Sequence, residues 1–325
     1  MIVKRKIFVF LVISLISLSL FAQNAQVIRI GLLNGPSCIP AAYLMENKKS
    51  LSDTSIIYEK YADPQSLLPK IIKKEVDLGF MPLNVAAKVY NSGNKIITCT
   101  AVTGLGNLKL ITTDENIRRF SDLKEKTVYI AGQGATPEYM FSYLLKENGM
   151  TYAGEKPDLS LDFSVPTAQL AAQLISGKIQ YALVPEPFAT IAQMKSDKVR
   201  AALDLQKEYI EVTGEKEIYP LTVMVVRTDF AKENPELLLA FLSEYKKAVS
   251  WTISNPSQAG KLSQKHNLGL SSDIVEKAIP LSNYTFVSAS DAKKSMEILL
   301  NLFLENNKAS IGEKLPDQDF YFKED

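Results

Sequence analysis

The chain is poor in the residues that most often build metal or catalytic centres. Its 325 residues include two cysteines, one histidine and one tryptophan. It has no Cys-x-x-Cys pair and no Cys/His spacing of the zinc-binding kind. The cysteines, Cys38 and Cys99, are predicted to be separate small hydrophobic residues, and a disulfide between them is the alternative in an exported protein. The sequence therefore predicts no metal site and no cofactor.

An excess of charge of one sign is also absent. The 37 Lys and Arg residues nearly balance the 36 Asp and Glu residues, which gives a formal net charge of +1. Proteins that bind nucleic acid or membrane surfaces usually carry a basic excess, so neither partner is predicted. With 46% hydrophobic and 22% charged residues, the composition is that of a globular protein long enough for two domains.

The one long apolar run lies at the N-terminus. The basic stretch MIVKRK precedes IFVFLVISLISLSLF, which is about 15 residues long, whereas a spanning helix needs about 20. We therefore expect residues 1–25 to be a secretory signal peptide, cleaved after Ala22 or Ala25, with an uncleaved tether as the alternative. No cysteine lies near this junction to carry a lipid. The expected location is periplasmic or otherwise extracytoplasmic.

Two stretches about a hundred residues apart repeat one pattern. VDLGFMPLNVAA (residues 76–87) and IQYALVPEPFAT (residues 179–190) each give a short apolar run, a proline turn and a helix start. A shift of 103 residues aligns 62–82 with 165–185 and places Pro82 on Pro185. Apolar residues at helical spacing precede each run. The chain therefore contains two copies of one unit.

Each copy is predicted to fold as β-α-β-α-β. The expected strands are 27–33, 55–61 and 76–80 in the first copy, and 127–131, 159–165 and 179–183 in the second. The expected helices are 39–47 and 65–73, and 137–148 and 168–176. Such alternation favours mainly parallel sheets flanked by helices. The C-terminal part is predicted to hold one strand, in YPLTVMVVRTDF, and then helices that cover the first lobe.

Ligands of open parallel sheets bind beyond the carboxyl ends of the strands, at helix N-termini. Here these positions are the loops 34–40, 80–84, 132–137 and 184–188. The candidate ligand-binding residues in them are Asn34, Gly35, Pro36, Ser37, Met81, Pro82, Asn84, Gln133, Gly134, Ala135, Thr136, Glu186 and Pro187. The alternative is local, because Gly and Pro serve sharp turns and the hydroxyl and amide residues can cap helices.

Glu186 sets the expected chemistry of the ligand. These loops hold no Arg or Lys, which weakens an anion site, and Glu186 is either a solvated carboxylate or an acceptor for ligand N–H groups. The second interpretation favours a neutral or weakly cationic polar ligand, heteroaromatic compounds included. Tyr43 and Tyr139, one turn into adjacent helices, either stack on a ring or belong to the core. No nucleophile–base pair is evident, so no catalytic residue is predicted.

Taken together, IGLLNGPSCIPAAYL, KKEVDLGFMPLNVAA, ISGKIQYALVPEPFA and YPLTVMVVRTDF give the chain a family resemblance. It resembles the solute-binding proteins of ABC importers, in the group for nitrate, sulfonate, taurine and thiamine precursors such as hydroxymethylpyrimidine. The resemblance covers nearly all of the mature chain. It implies a two-lobed periplasmic-binding-protein type II fold, in which each lobe is a mainly parallel sheet flanked by helices and two crossover hinge strands join the lobes.

The resemblance also implies boundaries, further site residues and partners. Lobe 1 is expected at 26–112 and 222–325, and lobe 2 at 113–221. The stretch TGLGN adds Gly104 and Leu105 to the candidate site. A monomer is expected to close on a small-molecule ligand and to dock on the permease subunits of an ABC importer. The alternatives are a ligand-sensing partner of a membrane receptor, and an enzyme of this fold that acts on a pyrimidine or menaquinone precursor.

Overall fold

The computed structural model describes residues 27–33, 38–215 and 218–323. The expected signal peptide lies outside these ranges. None of the helices in the described ranges combines the length and the apolarity that a membrane span needs. The described chain forms two mixed β-sheets, each packed against helices, and we call the two layered units lobe 1 and lobe 2. This arrangement confirms the predicted two-lobed α/β fold.

Lobe 1 contains a seven-stranded sheet with the order β12-β5-β11-β4-β1-β3-β2. Its strands are β1 (Val27–Leu33), β2 (Ser50–Leu51), β3 (Thr54–Tyr61), β4 (Leu78–Pro82), β5 (Ile97–Leu105), β11 (Pro220–Arg227) and β12 (Tyr284–Ser288). Its helices are α1 (Cys38–Asn47), α2 (Pro64–Ile72), α3 (Leu83–Ser92), α8 (Thr228–Glu233), α9 (Pro235–Ser254), α10 (Pro256–Lys265), α11 (Ser272–Ala278) and α12 (Ala289–Asn307).

Lobe 2 contains a five-stranded sheet with the order β10-β6-β9-β7-β8. Its strands are β6 (Leu108–Thr112), β7 (Thr127–Ile130), β8 (Ser160–Asp162), β9 (Tyr181–Pro185) and β10 (Arg200–Asp204). Its helices are α4 (Thr136–Glu147), α5 (Thr167–Ile175), α6 (Phe188–Lys195) and α7 (Leu205–Thr213).

The internal repeat of the sequence has a structural counterpart. Helix α5 begins and ends 103 residues after α2, and β9 begins and ends 103 residues after β4. The apolar helix positions that align in the repeat are buried in both lobes: Leu67, Ile71, Leu170 and Leu174. In each lobe the same helix–strand pair therefore packs one apolar helix face onto a sheet.

The prediction of mainly parallel sheets is only partly right. Four of the ten described strand pairings are parallel, namely β1–β3, β1–β4, β7–β8 and β7–β9, and the other six are antiparallel. Strand β6, which enters lobe 2, runs antiparallel to β9, and β11, which returns to lobe 1, runs antiparallel to β4 and β5. Strand β12 was not predicted and pairs antiparallel with β5 at the edge of lobe 1.

The chain passes between the lobes twice. It leaves lobe 1 at Gly106 and Asn107, because β6 pairs with β9 and β10 in the lobe 2 sheet. This first crossover therefore lies a few residues before the expected boundary at residue 112. The chain returns before β11, which pairs with β4 and β5. Cys99 is a free, fully buried thiol in β5, so the alternative of a disulfide to Cys38 is not realised.

Candidate functional site

The repeated strand–proline–helix unit forms an equivalent corner in each lobe. Strand β4 ends at Pro82, and α3 begins at the next residue. Strand β9 ends at Pro185, and α6 begins directly after Pro187. Pro82 and Pro187 are the residues before α3 and α6, and neither side chain bonds to a backbone N–H group of the first helical turn. Of the candidates here, Met81 is fully buried in the core, and Pro187 is also buried.

Asn84 and Thr136, predicted as ligand-binding residues of opposite lobes, are hydrogen-bonded to each other. The Thr136 hydroxyl donates to Asn84 Oδ1 over 3.0 Å. The Asn84 Nδ2 group donates to the Gly134 carbonyl oxygen over 3.1 Å and to that of Ser310 over 3.3 Å. Both side chains are fully buried. The loop after β4 and the loop after β7 therefore touch directly, and we call this group the Asn84 contact.

The loop between β7 and α4 owes its shape to two glycines. Gly132 and Gly134 have φ angles of +81° and +72°, a region that L-residues with a side chain rarely adopt. The Gly134 N–H donates to Glu138 Oε2 over 2.6 Å, which ties the loop to the first turn of α4. Ala135 is buried as the residue that precedes the helix, whereas Gln133 is exposed at the loop tip. Of this loop, Gln133 is thus the candidate side chain that is free to meet a ligand.

Glu186 is buried rather than solvated. Its side chain is 1% exposed, and its Oε2 atom accepts hydrogen bonds from the Thr190 N–H over 3.0 Å and from the Thr190 hydroxyl over 2.7 Å. Burial raises the pKa of the Glu186 carboxyl, and the two bonds from Thr190 oppose that rise. The carboxylate therefore closes the first turn of α6, which excludes the interpretation of a solvated loop residue.

The hinge lies where the two crossovers run side by side. The Gly106 N–H donates to the Tyr219 carbonyl oxygen over 2.9 Å, and Asn283 Nδ2 donates to the Gly106 carbonyl oxygen over 2.6 Å. A Cβ on Gly106 would collide with Gln206 Oε1 and the Tyr219 ring. Glycine is required here because this side of its backbone is completely filled.

The hinge also contains polar atoms without a described partner. Among the described residues, Asn107 Oδ1, both polar atoms of the Gln206 amide and the Tyr219 hydroxyl are buried with no hydrogen bond. The Asn107 backbone carbonyl accepts from the Glu186 N–H over 3.3 Å, which links the hinge to the corner of lobe 2. Unpaired polar atoms in such a place are suited to ordered water.

Several candidates occupy other positions. Gly104 and Leu105 lie at the end of β5, where Gly104 is opposite Thr222 and Tyr284. Tyr43 packs against Trp251 with 4.7 Å between ring centroids, and Tyr139 packs against Phe303 with 5.9 Å, so both belong to packed aromatic pairs. Asn34, Gly35, Pro36 and Ser37 lie outside the described residues.

Sequence reasoning missed Gln206, Tyr219 and Ser310. Ser310 lies 226 residues after Asn84, and Gln206 and Tyr219 lie in and after α7, far along the chain from the loops that the strand pattern identified. No local spacing could have connected them, since the two lobes meet through long-range contacts. A hydrophobic run that begins at Tyr219 and leads into β11 was the one signal near the second crossover.

The lobes also touch beside the candidate cleft. Helix α11 of lobe 1 contacts α6 of lobe 2, and α12 of lobe 1 contacts α4 of lobe 2. Together with the Asn84 contact, these are places where described residues of the two lobes meet. Among the described residues, no group of three or more His, Cys, Asp or Glu could hold a metal ion.

Solved structures with this architecture are numerous. An ABC transporter protein from Parabacteroides distasonis is 24% identical, with a TM-score of 0.76 over 92% of this chain and 100% of the other. The periplasmic aliphatic sulphonate-binding protein SsuA from Escherichia coli is 17% identical, with a TM-score of 0.68 over 90% of this chain and 92% of the other. The periplasmic nitrate-binding protein NrtA from Synechocystis is 14% identical, with a TM-score of 0.66 over 91% and 87%.

The sequence comparison gives the family. No protein of curated function matches the chain in sequence. The sequence model of the NMT1/THI5-like family matches residues 55–259, which is more than half of the chain and includes both candidate corners and both crossovers. The chain therefore belongs to the NMT1/THI5-like family.

Proposed function

We propose that this protein is the extracytoplasmic solute-binding component of an ABC importer. The observation that carries the proposal is the Asn84 contact, through which the loops at the carboxyl ends of β4 and β7 meet across the lobes. The ABC transporter protein from Parabacteroides distasonis and the periplasmic sulphonate- and nitrate-binding proteins have a similar fold, which supports the proposal. The ligand in this proposal is a small polar solute held between the lobes.

The proposed mechanism is a shift between open and closed arrangements of the lobes. A ligand that contacts both lobes binds the closed arrangement better and so increases its population. The closed protein then docks on membrane permease subunits, whose ATPase supplies the energy for transport. The paired crossovers at Gly106 and Tyr219 are the place where such a rotation bends the chain.

The class of ligand can be tested with a thermal-shift screen of two panels. One panel holds pyrimidines, thiamine precursors and flavins, and the other holds nitrate, taurine and alkyl sulfonates. A ligand at about 100 times its Kd adds about 2.7 kcal/mol to the stability of the folded protein, enough to raise the melting temperature by several degrees. We expect the hit in the first panel. A hit in the second panel alone would contradict a neutral ligand and would indicate an anion bound at helix N-termini.

Substitutions then test whether the ligand bridges the lobes. Gln133→Ala probes lobe 2 and Asn34→Ala probes lobe 1, and both are expected to weaken binding of the screened ligand. Because Glu186 is buried and bonded to Thr190, Glu186→Gln is expected to weaken binding only modestly, through the first turn of α6, while the fold is kept. If only one lobe matters for affinity, the ligand does not bridge the cleft, and the closing mechanism fails.

A further inference from the structure

A cavity lies between the lobes, along α4 beyond the Asn84 contact. It has a volume of about 260 Å³ and is lined by α4 and the segment after it in lobe 2 and by the end of α12 in lobe 1. Of the described candidates named from the sequence, Tyr139 lines it, whereas no residue of the strand-end loops does. Helix α4 thus starts at the Asn84 contact and, from its second turn onward, forms one wall of this separate space, which we call the junction cavity.

The walls of the junction cavity are largely aromatic. Tyr139, Tyr143, Tyr152 and Phe303 all face it, and Tyr139 and Phe303 pack against each other at a tilt of 54°. Tyr152 is 38% exposed, an unusual position for a large ring, and forms part of the rim. Aromatic walls of this kind favour the faces and edges of another ring.

The volume of the junction cavity suits a single ring. Pockets for drug-sized ligands measure about 300–1,000 Å³, and an apolar cavity of about 150 Å³ is enough to bind benzene. The volume of about 260 Å³ lies between these values. A ring with one small substituent therefore fits.

Two polar groups in the wall of the junction cavity indicate which substituent a bound ring would carry. Ser142 Oγ is buried in the wall and has no hydrogen-bond partner among the described residues. Lys146 is the one charged residue among the described residues that line the cavity, and its Nζ donates to Asn306 Oδ1 over 2.8 Å across the lobes. A donor hydroxyl and an ammonium group together suit an anionic acceptor.

We propose that the junction cavity is a second small-molecule site, which binds a single-ring aromatic carboxylate. The ring lies against Tyr139, Tyr143 and Phe303, and the carboxylate accepts from Lys146 and Ser142. This site differs from the cleft in location and in charge. Its occupancy does not depend on which solute the cleft takes.

The test is a titration of the full protein with 4-fluorobenzoate, followed by ¹⁹F NMR, with 4-fluorobenzamide as the neutral probe of the same shape. We expect saturable binding of 4-fluorobenzoate. Lys146→Gln should weaken benzoate binding by about threefold to tenfold, the effect of one partly exposed ion pair, and should leave benzamide binding unchanged. Ser142→Leu should abolish binding of both probes, because the larger side chain fills the cavity.

Lys178→Gln is the matched control, since Lys178 is an exposed lysine of the same lobe after α5. Three results overturn the proposal: no saturable binding of 4-fluorobenzoate up to its solubility limit, an equal loss of benzoate binding in Lys178→Gln and Lys146→Gln, or unchanged binding by a folded Ser142→Leu protein. If Ser142→Leu does not fold, as circular dichroism will show, the comparison of the two lysine variants decides.

Discussion

Asn84 uses both ends of its amide to connect the two lobes, so its loss leaves several buried groups unpaired. In Asn84→Ala, the Thr136 hydroxyl and the Gly134 and Ser310 carbonyl groups lose a partner. An unsatisfied buried polar group costs about 1–3 kcal/mol, and we expect the free energy of unfolding to fall by that amount. Urea denaturation measures this change.

Thr136→Val is the graded control, because it removes one of these bonds and keeps the branched shape. It should be less destabilising than Asn84→Ala. Equal stability of Asn84→Ala and the unaltered protein would show that the Asn84 contact contributes nothing in solution.

Glu186 makes stability depend on pH in a defined direction. Burial raises the pKa of this carboxyl in the folded protein above its ordinary value, which is about 4.3 in an unfolded chain. The folded state therefore holds the proton more tightly, and the stabilising contribution is complete below about pH 4 and is lost as pH rises through the raised pKa. Glu186→Gln abolishes this titration while its amide oxygen can still accept from Thr190.

We therefore expect the stability of Glu186→Gln, relative to the unaltered protein, to increase between about pH 4 and pH 7. Urea unfolding at several pH values gives the comparison. Glu155→Gln, at an exposed position, is the control for the effect of the Glu-to-Gln substitution itself. A constant difference between Glu186→Gln and the unaltered protein across this range would contradict the assigned direction.

Single residues also show where sequence reasoning stops. The stretch Pro-Glu-Pro is typical of an exposed loop, yet Glu186 is buried because the chain folds back onto Thr190 one turn later. Asn84 and Thr136 lie at the loop corners that the sequence locates, since strand ends and helix starts have local signals. That they bond to each other depends on how two lobes meet, and no local pattern contains that information.

At the scale of elements, the repeat is the most informative signal. A shift of 103 residues brings helices α2 and α5 and strands β4 and β9 into register, and the sequence alone is enough to find that shift. The pattern works because both helices bury the same apolar spacing against a sheet. It fails for β12, a five-residue edge strand with a half-buried centre, whose pairing is fixed by β5 rather than by its own sequence.

The first crossover has no room for added volume at Gly106. In Gly106→Ala the new methyl group meets Gln206 and Tyr219, whose positions are fixed by packing. Overpacking of this kind costs about 1–3 kcal/mol, so we expect the melting temperature to fall by several degrees. Gly104→Ala, two residues earlier in β5, is the control, because its methyl group would lie 3.5 Å from Thr222 in ordinary contact. Equal melting temperatures of the two variants would argue against a filled hinge.

At the scale of the whole molecule, the proposed closing motion predicts that a distance between the lobes changes and that a distance within lobe 1 does not. Spin labels at Ile72 of lobe 1 and Met194 of lobe 2, both exposed, span the lobes. We expect their distance distribution to narrow and shorten when a ligand from the thermal-shift screen is added. The labels are introduced as cysteines in a Cys38→Ser background, and Cys99 is too buried to react.

A pair at Ile72 and Ile253 lies within lobe 1 and is the control, since the motion of rigid lobes leaves it unchanged. A change in both pairs would indicate loosening of the fold rather than closure. An unchanged distance in both pairs, with ligand bound, would contradict the closing mechanism.

The hydrogen bond between Gly106 and Tyr219 has a consequence for how such a molecule can diversify. The segment between them, which contains all five strands of lobe 2, is an insertion into lobe 1 whose entry and exit are neighbours. Its ends meet at one point, so the segment can be lengthened, trimmed or exchanged without a change in the path of the host lobe. Lobe 2, which forms one half of the cleft, can therefore change in evolution while lobe 1 keeps its fold.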